Sequence, residues 1–399
     1  MSGSSVCVAI VSPTGFTRGA FTRMGELALG LVEAGHEVLW VGPQVRYEIP
    51  GVKYVVLRKR RLDAFGVGFR LSAQREIRRL VAEIDVLLAF RELDVELFRR
   101  IREEFDKPII YFSRADTLAN DMLALDSAVN EIDRFYARAQ ILSHLRLRKR
   151  ALNASDLIVV QTPALKDQMR FFAPMTAKRI LVLPNNSNPS WIVQDTPVWR
   201  GIKSGGQTVV GYVGRVRVGR GLEDLIDAVA GLELGLDVEL RIFGPDIYGA
   251  REIRARAACR GVKHRVRFMG ETDRALEEMA KLDVLVANRY VEGCPNTVLE
   301  AMAVGTPIIA TDIPAHRFLF GGAGLLYEPS RVEELTSLLK KVANGEIDLL
   351  SQSAKVSERS QKFMFPWRQI AAEIIIAAAE GRTDTLRLPE IEGWPEGLV

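Results

Sequence analysis

The stretch LDVLVANRYVEGCPNTVLEAMAVGTPIIATD, residues 282–312, contains one complete strand–loop–helix–strand unit. The apolar run Val284–Ala287 predicts a short buried strand, and Glu292–Cys294 predicts a loop. Pro295 is typical of the first turn of a helix, and Pro307–Thr311 predicts the next strand. A strand, a crossover helix and a second strand in this order indicate an α/β fold.

Two carboxylates flank the predicted start of this helix. Glu292 lies in the loop before the helix, and Glu300 lies within it. The backbone amides of Asn296, Thr297 and Val298 lie at the positive end of the helix dipole, where a phosphate binds without a metal ion. A phosphate site between two hydroxyl-binding carboxylates is what a nucleotide-sugar site requires. The alternative is an ordinary crossover with two surface glutamates, because Glu is common in loops and helices.

Length and composition predict a cytoplasmic protein with two domains. A chain of 399 residues exceeds the usual size of one hydrophobic core, and 48% apolar with 26% charged residues is typical of globular proteins. The first residues lack the cationic segment of a signal peptide, and no apolar run approaches the roughly 20 residues of a spanning helix. Few cysteines, without metal-ligand spacing, predict free thiols in a reducing compartment. The cysteines and histidines are Cys7, Cys259, Cys294, His36, His144, His264 and His316.

Charge is distributed unevenly between the two halves of the chain. Residues 1–195 contain 28 Lys+Arg against 22 Asp+Glu, a net charge of +6, which leaves −2 of the total of +4 for the remainder. A basic first half predicts contact with an acidic partner, either a membrane surface or an anionic acceptor. The alternative is solvated helix faces. The basic clusters are Arg58–Arg61, then Arg75, Arg78 and Arg79, and then Arg146–Arg150.

Apolar strands alternate with helices along the first half, one of them predicted as a single helix over residues 117–152. This alternation predicts a mostly parallel sheet covered on both faces. Ligands of such sheets bind beyond the carboxyl ends of the strands. After the first strand, Gly15 and Gly19 permit close backbone approach to the acceptor or the transferred group, unless the loop is a plain connection. After a later strand, Arg114 is expected to bind an anionic group and Asp116 to orient it or to bind a hydroxyl. A purely structural Arg–Asp contact is the alternative.

The second half begins a new series of strands and helices. The strand Val209–Val213 leads into a glycine-rich loop that contains Arg215 and Arg220. These two cations are predicted to bind phosphate oxygens, although basic loops are also common on surfaces. Further strands are predicted at Val238–Phe243 and Val266–Met269. Their ends are predicted to form the nucleobase region at Phe243, Gly244, Pro245 and Gly270.

The stretches Pro184–Trp191 and Gln194–Gln207 are rich in Pro, Gly, Ser or Asn and predict an interdomain linker. We therefore expect a first domain over residues 1–195 and a second over 196–364. A helix at about 365–382 and an irregular tail over 383–399 are expected to follow.

Five motifs follow one another in the second half: GYVGRVRVGRGLEDLIDAV, LRIFGP, VRFMGE, EGCPNTVLEAMAVGTPIIATD and GAGLLYEP. Their order and spacing resemble those of the retaining glycosyltransferases of family 4, the glycosyl transferases of group 1. The first half agrees more loosely, through GLVEAGHEV, SDLIVVQTPALKDQM and KRILVLPNNSN. The resemblance implies the GT-B fold, in which two Rossmann-like domains with parallel sheets face a central cleft. It also implies that a C-terminal helix crosses back onto the first domain.

The resemblance assigns roles to individual residues. Glu292 resembles the glutamate that contacts the donor sugar near the reacting centre, and Glu300 the one that holds the ribose. Arg215 resembles the arginine that binds the diphosphate and stabilises the leaving group, and Arg220 stands where the family usually has lysine. The family's histidine after a strand of the first domain is absent here, and Arg114 or a neighbour takes its place. This departure is compatible with an acidic or otherwise altered donor sugar.

The implied function is transfer of a sugar, with retention, from a nucleoside-diphosphate sugar to a lipid, glycan or small-molecule acceptor. No Asp-x-Asp motif follows a strand, so no metal ion or other cofactor is expected. Aromatic residues do not alternate with the basic clusters, so nucleic acid is not an expected partner. The expected location is the cytoplasm, either free or at the inner face of the membrane. The alternatives are another GT-B enzyme, such as a nucleotide-sugar epimerase, and a non-catalytic nucleotide-sugar-binding protein.

Overall fold

The computed structural model describes residues 5–11, 20–43, 48–57, 67–114, 117–126, 130–174, 180–187, 198–199, 201, 206–247, 249–383, 386 and 388. The chain divides into two compact units. Unit 1 contains the chain up to Pro184 and the segment that begins at Pro366, and unit 2 contains Asn185–Phe365. The predicted boundary at residues 195 and 196 lies outside the described residues.

Strands and helices alternate through unit 1. Its strands are β1 Cys7–Val11, β2 Glu37–Gly42, β3 Val52–Val56, β4 Val86–Ala89, β5 Ile109–Ser113, β6 Leu157–Val160 and β7 Ile180–Val182. Its helices before residue 184 are α1 Ala20–Glu33, α2 Val67–Leu80, α3 Glu92–Phe105, α4 Thr117–Asp126, α5 Glu131–Ala154 and α6 Pro163–Phe172. Most of these strands are buried along their whole length, as expected where helices cover both faces of a sheet.

The sheet of unit 1 is parallel, with the strand order β3-β2-β1-β4-β5-β6-β7. Strand β1 lies at the centre, where Val8 pairs with Val38 of β2 on one side and with Val86 of β4 on the other. The order reverses at this point, which is the arrangement of a Rossmann-like domain.

Unit 2 repeats the same design with six strands and seven helices in its described part. The strands are β8 Thr208–Val213, β9 Val238–Phe243, β10 Val266–Gly270, β11 Val284–Ala287, β12 Ile308–Thr311 and β13 Leu325–Tyr327. The helices are α7 Leu222–Ala230, α8 Ala250–Cys259, α9 Ala275–Met279, α10 Asn296–Val304, α11 Pro314–Phe320, α12 Val332–Ala343 and α13 Leu349–Gln361. The order is β10-β9-β8-β11-β12-β13, all parallel, so β8 and β11 meet at the reversal point. Two parallel, Rossmann-like units confirm the predicted α/β fold class.

One predicted helix is wrong. The periodicity of residues 117–152 predicts a single helix, whereas the structure has α4 and α5 in that region. Helix α5 begins after Asn130, whose side-chain oxygen accepts a hydrogen bond from the Asp133 amide at 2.8 Å. This is an N-cap, which supplies an acceptor to an amide that has none within the helix. The two helices pack against each other.

The last described helix, α14 Trp367–Ala379, belongs to unit 1. It packs on α1, where Arg368 pairs with Glu26 at 2.8 Å and with Glu33 at 2.6 Å. It lies within the range of about 365–382 that the sequence predicts for this helix. Among all the helices that the structure describes, none is both long enough and apolar enough to cross a bilayer.

Candidate functional site

Helix α10 begins at the carboxyl edge of the second sheet, after the loop that follows β11. Pro295 precedes it in extended conformation, and no side chain caps this end of the helix. The Leu299 amide bonds back to the Pro295 carbonyl at 3.3 Å. The amides of Asn296, Thr297 and Val298 therefore come before the first bond of the helix, at its positive end. This is the geometry that the sequence predicts for an anion site.

A buried asparagine from a distant part of the chain fixes this helix end. The Asn185 side-chain nitrogen donates to the Cys294 carbonyl at 2.6 Å and to the Asn296 side-chain oxygen at 2.8 Å. Asn185 is 2% exposed. It therefore holds the loop before α10 and the first residue of α10 together. In the sequence, Asn185 belongs to a predicted linker and to the stretch KRILVLPNNSN, and neither feature predicts its contact with α10.

Glu292 lies in the loop before α10 and has a cationic neighbour that the sequence analysis missed. Arg289 Nε lies 3.1 Å from Glu292 Oε1, and both side chains are largely buried. Burial raises the pKa of Glu292 above its ordinary value, and the Arg289 charge opposes that increase. The sequence did offer a signal for this ion pair, because Glu292 follows Arg289 by three positions.

Arg289 is held in place from several directions. Its guanidinium donates to the Val291 carbonyl at 3.2 Å, and its own carbonyl accepts a hydrogen bond from the Thr311 hydroxyl. The same Thr311 offers its carbonyl to His316 Nδ1 at 2.8 Å. Burial lowers the pKa of His316 to about 4, so the ring is neutral near pH 7. The His316 side chain is completely buried.

The loop after β8 packs directly on the segment after β11. Gly221 has φ = 78°, and a Cβ atom there would lie 2.0 Å from the Asn288 carbonyl oxygen. The Asn288 side-chain nitrogen donates to the Gly221 carbonyl. A glycine is thus required both for the backbone conformation and for the close approach.

Arg215 and Arg220, the two predicted phosphate ligands, lie in this same loop and are half-buried. Helix α7 begins directly after it, and the Glu223 carboxylate accepts a hydrogen bond from the Gly219 amide at 2.7 Å. Because this carboxylate lies in the first turn of α7, the start of α7 is a less favourable anion site than the start of α10. Positive charge in this loop therefore comes from arginine side chains, those of Arg215 and Arg220 and that of the exposed Arg217.

Unpaired buried polar atoms are concentrated around these loops. Nine buried side-chain nitrogen or oxygen atoms in the described part of the chain have no hydrogen-bond partner. Five of the nine follow β8, β11 or β12, which are neighbours in the sheet: Arg220 Nε, Glu223 Oε2, Asn288 Oδ1, Arg289 Nη1 and His316 Nε2. Buried polar groups are nearly always paired, so these five atoms are candidates for contact with a ligand.

The predicted nucleobase region lies at the ends of β9 and β10. The Gly244 amide donates to the Gly270 carbonyl at 2.7 Å, and the Gly214 amide donates to the Phe243 carbonyl at 2.9 Å. The Phe243 side chain is buried in the core, whereas Gly244, Pro245 and Gly270 are half-exposed. At this edge of the sheet, Gly244, Pro245 and Gly270 are therefore accessible to a ligand, whereas the Phe243 side chain is not.

The predicted residues of unit 1 are described only in part. Arg114 directly follows β5, at the carboxyl edge of the first sheet, and is half-buried. Gly15, Gly19 and Asp116 lie outside the described residues. The structure thus brings Arg215, Arg220, Glu292, Glu300 and the α10 amides to one edge of unit 2. Their contacts with ligands stay predictions.

Two family models match the chain. Residues 17–189 match the model described as Glycosyltransferase Family 4, and residues 207–344 match the model described as Glycosyl transferases group 1. Together the two matches cover most of unit 1 and most of unit 2.

Curated and solved proteins agree with these matches. The chain is 36% identical over 162 residues to a lipopolysaccharide core biosynthesis mannosyltransferase of Rhizobium meliloti, which is 38% of this chain and 46% of that protein. The matched segment thus spans less than half of that relative. Sucrose-phosphate synthase from Thermosynechococcus elongatus has a TM-score of 0.74 at 18% identity, over 95% of this chain and all of that one.

A third match is the Anabaena protein Alr3699/HepE in complex with UDP-glucose, with a TM-score of 0.66 at 16% identity. That match covers 95% of this chain and 99% of the other. At these identities the structural matches establish the fold alone. With two Rossmann-like units and both family models matched, the chain has the GT-B fold and belongs to family 4 of the glycosyltransferases, the glycosyl transferases of group 1.

Proposed function

We propose that this chain is a retaining glycosyltransferase that moves a sugar from a nucleoside-diphosphate sugar to a glycan, lipid or small-molecule acceptor. The observation that carries the proposal is the group of five unpaired buried polar atoms in the segments that follow β8, β11 and β12, the same strand ends that carry Arg215, Arg220, Glu292 and the start of α10. The group contains both donors and acceptors of hydrogen bonds. A ligand rich in phosphate and hydroxyl oxygens matches both kinds.

The phosphates of the donor are assigned to Arg215, Arg220 and the start of α10. Negative charge develops on the diphosphate as the bond to the sugar breaks. Guanidinium groups and helix amides stabilise that charge without rearranging, because they are already held by the two interlocked loops. This arrangement needs no divalent metal ion, and the proposal includes none.

The two glutamates have different assigned roles. Glu300 lies within α10 and is assigned to the ribose hydroxyls of the nucleotide. Glu292 lies before the helix, beside Arg289, and is assigned to the donor sugar near the reacting carbon. An ionised carboxylate accepts hydrogen bonds only, so Glu292 must be deprotonated for this role.

The acceptor is assigned to unit 1, at the carboxyl edge of its sheet. Arg114 at the end of β5 is the described residue of that edge assigned to bind an anionic group, together with Asp116, Gly15 and Gly19 from outside the described residues. Contact of unit 1 with a membrane belongs to the same proposal. The related mannosyltransferase of lipopolysaccharide core synthesis supports an acceptor of the glycan or glycolipid class.

A donor screen tests the proposed reaction. The protein is incubated with UDP-, GDP-, ADP- and dTDP-sugars, including a uronic acid donor, with a lipid extract as acceptor, and nucleotide release is measured in EDTA and in Mg²⁺. We expect release from one nucleotide class, at a similar rate in both buffers. Release from no donor would refute the transferase proposal, and isomerisation of the donor sugar without transfer would identify an epimerase.

Substitutions of the two glutamates separate their roles. Glu300→Ala is expected to raise the Kd of the nucleotide about 10- to 100-fold, the effect of one lost hydrogen bond to a charged group. Glu292→Ala is expected to lower kcat about 100-fold or more with a smaller effect on nucleotide binding. Glu252→Ala, on an exposed position of α8, serves as the matched control. Wild-type kinetics for both site variants would overturn the assignment.

A further inference from the structure

Three consecutive residues after β11 reach different parts of unit 2 with their side chains: Asn288, Arg289 and Tyr290. Asn288 donates a hydrogen bond to the carbonyl of Gly221, the residue that precedes α7. The Tyr290 hydroxyl donates a hydrogen bond to the carboxylate of Asp224, in the first turn of α7. The chain is therefore attached to the start of α7 on both sides of Arg289.

The Tyr290 hydroxyl is a hydrogen-bond donor at neutral pH. Burial, together with the adjacent Asp224 carboxylate, raises the pKa of Tyr290 above its ordinary value, so the phenol stays protonated. Its hydrogen bond to Asp224 connects residues that are 66 positions apart in the chain. A hydrogen bond to an ionised acceptor is stronger than one between neutral groups. The bond is therefore a strong connection between the loop after β11 and the first turn of α7.

The Asp224 carboxylate does not cap α7. Gly221 occupies the N-cap position of this helix, where no side chain accepts a hydrogen bond. The neighbouring Glu223 carboxylate accepts a hydrogen bond from the Gly219 amide, within its own loop. Asp224 bonds instead to a residue of another loop. Loss of the Asp224 carboxylate should therefore affect the loop after β11 more than it affects α7.

This hydrogen bond joins the two segments that carry the predicted charges of the site. Asp224 follows Arg220 by four positions. Tyr290 precedes Glu292 by two positions. Between them, Arg289 Nε lies 3.1 Å from Glu292 Oε1. Because such an ion pair depends on the placement of both groups, a shift of the Arg289 backbone would weaken it.

We propose that the Tyr290–Asp224 hydrogen bond positions Arg289, and through Arg289 the Glu292 carboxylate, relative to the start of α7. Tyr290 and Asp224 are thus positioning residues, and neither is assigned a contact with the donor. The inference rests on the role proposed for Glu292 in the transfer reaction. A displacement of about 1 Å at a reacting group can cost about 100-fold in rate, so such a bond affects catalysis without touching the substrate.

Tyr290→Phe tests the proposal because it removes one hydroxyl group and keeps the aromatic ring. We expect kcat to fall about 10- to 100-fold, because Glu292 loses its fixed position near the reacting carbon. The Kd of the nucleoside diphosphate is expected to change by less than about twofold, since the variant leaves the phosphate ligands in place. Initial rates of nucleotide release and calorimetric titration measure the two quantities.

The ionisation of Glu292 provides a second measurement, which needs no turnover. A displaced Arg289 would offset the burial of Glu292 less well, so the Glu292 carboxyl should titrate at higher pH in Tyr290→Phe. Tyr212, which also interacts with Glu292, is unchanged in this variant. An NMR titration of isotope-labelled glutamate carboxyl carbons measures the shift, with the Glu292 signal assigned by its absence from Glu292→Gln.

Variants of the partner residue separate the hydrogen bond from the charge. Asp224→Asn keeps an oxygen that accepts from Tyr290, so kcat and the Glu292 titration should stay close to those of the wild type. Asp224→Ala should reproduce both effects of Tyr290→Phe. The double variant Y290F/D224A should be no worse than either single variant, because each removes the same bond.

Tyr54→Phe is the matched control in unit 1. The Tyr54 hydroxyl accepts a hydrogen bond from the Ile49 amide at 2.7 Å, so this variant also loses one hydrogen bond of a phenol. It should keep the wild-type kcat and the wild-type titration of Glu292.

Three results would overturn the positioning role. They are a Tyr290→Phe protein that differs from the wild type only in stability, additive effects of Y290F and D224A, and a Kd that rises as much as kcat falls. Because the NMR titration and nucleotide binding need no transfer, they decide on this hydrogen bond even where the donor screen finds no reaction.

Discussion

At the scale of single residues, Arg289 controls the charge of Glu292. Burial raises the pKa of the Glu292 carboxyl, and the adjacent guanidinium favours its ionised form. Tyr212 interacts electrostatically with both members of this pair, and His316, which is neutral near pH 7, interacts with Arg289. Arg289 is therefore the nearest cation that offsets the burial of Glu292 in the described structure.

Replacing Arg289 is predicted to move the pH profile of the reaction. Arg289→Met leaves Glu292 buried without its ion pair, so its pKa rises and the acidic limb of kcat/KM moves to higher pH. Arg289→Lys restores a cation and should move the limb back towards the wild-type position. Initial rates of nucleotide release over pH 5–9 provide the measurement.

A control for this prediction removes an equally good ion pair elsewhere. Arg256 Nε donates to Asp227 at 2.7 Å, between α8 and α7. Arg256→Met should lower stability and leave the acidic limb in place. An unchanged limb in Arg289→Met would show that Glu292 titrates independently of Arg289 or plays no part in the reaction.

The sequence located some residues of the site and missed others for a physical reason. Glu292 and the start of α10 were predicted because a strand, a loop and a helix start are local features of the chain. Asn185 was missed because its partner Cys294 is 109 positions away, and no local pattern reports such a contact. The unpaired atoms of Asn288 and His316 could not be predicted either, because their burial depends on how distant segments pack in the folded chain.

At the scale of elements, a single asparagine joins the loop before α10 to the first residue of that helix. Asn185 bridges Cys294 and Asn296, whereas the adjacent Asn186 donates to the Phe365 carbonyl at 2.7 Å. The two side chains are similarly buried and belong to the same segment, but only Asn185 contacts the predicted phosphate site. They therefore form a natural pair of test and control.

Both asparagine variants are expected to be less stable, and Asn185→Ala is also expected to bind nucleotide more weakly. Asn185→Ala and Asn186→Ala each remove a donor to a buried carbonyl, which costs about 1–3 kcal/mol of the free energy of unfolding. Only Asn185→Ala is expected to weaken binding of the nucleoside diphosphate, by about tenfold, because the α10 amides lose their fixed position. Calorimetric titration and thermal unfolding measure the two effects. Equal affinity of the two variants would show that Asn185 is purely structural.

Element bounds were predictable where turn residues interrupt an apolar run. Strands β9 and β11 have the bounds that the sequence predicts, 238–243 and 284–287. The single helix predicted over 117–152 was wrong because periodicity alone does not detect a break between two helices of similar composition. The Asn130 cap before α5 was the signal that could have located the second start.

At the scale of the whole molecule, composition indicated a junction but not its position. The segment after Pro184 is rich in polar residues, as linkers are, yet the Ser187 amide bonds to the Phe363 carbonyl at 2.9 Å. Asn185 and Asn186 also bond within unit 2. These hydrogen bonds assign the segment to unit 2, and they exist only in the folded chain.

Helix α14 returns the chain to unit 1, and its packing on α1 reverses the effect on stability that is expected of one substitution in α1. Gly30 lies within α1, and glycine in a helix is less stable than alanine by about 1 kcal/mol, so propensity alone predicts that Gly30→Ala stabilises. A Cβ atom at Gly30, however, would lie 2.6 Å from both Cγ and the carbonyl oxygen of Arg368. The backbones of α1 and α14 would have to separate.

Gly30→Ala is therefore expected to lower the free energy of unfolding by about 1–3 kcal/mol, the usual cost of overpacking. The separation would also weaken the ion pairs of Arg368 with Glu26 and Glu33. Calorimetry of the full-length chain measures the change. Gly235→Ala, at a position with no atom within 4 Å of the added Cβ, should stay close to wild type. A stabilised Gly30→Ala protein would mean that α14 does not rest on α1 in solution.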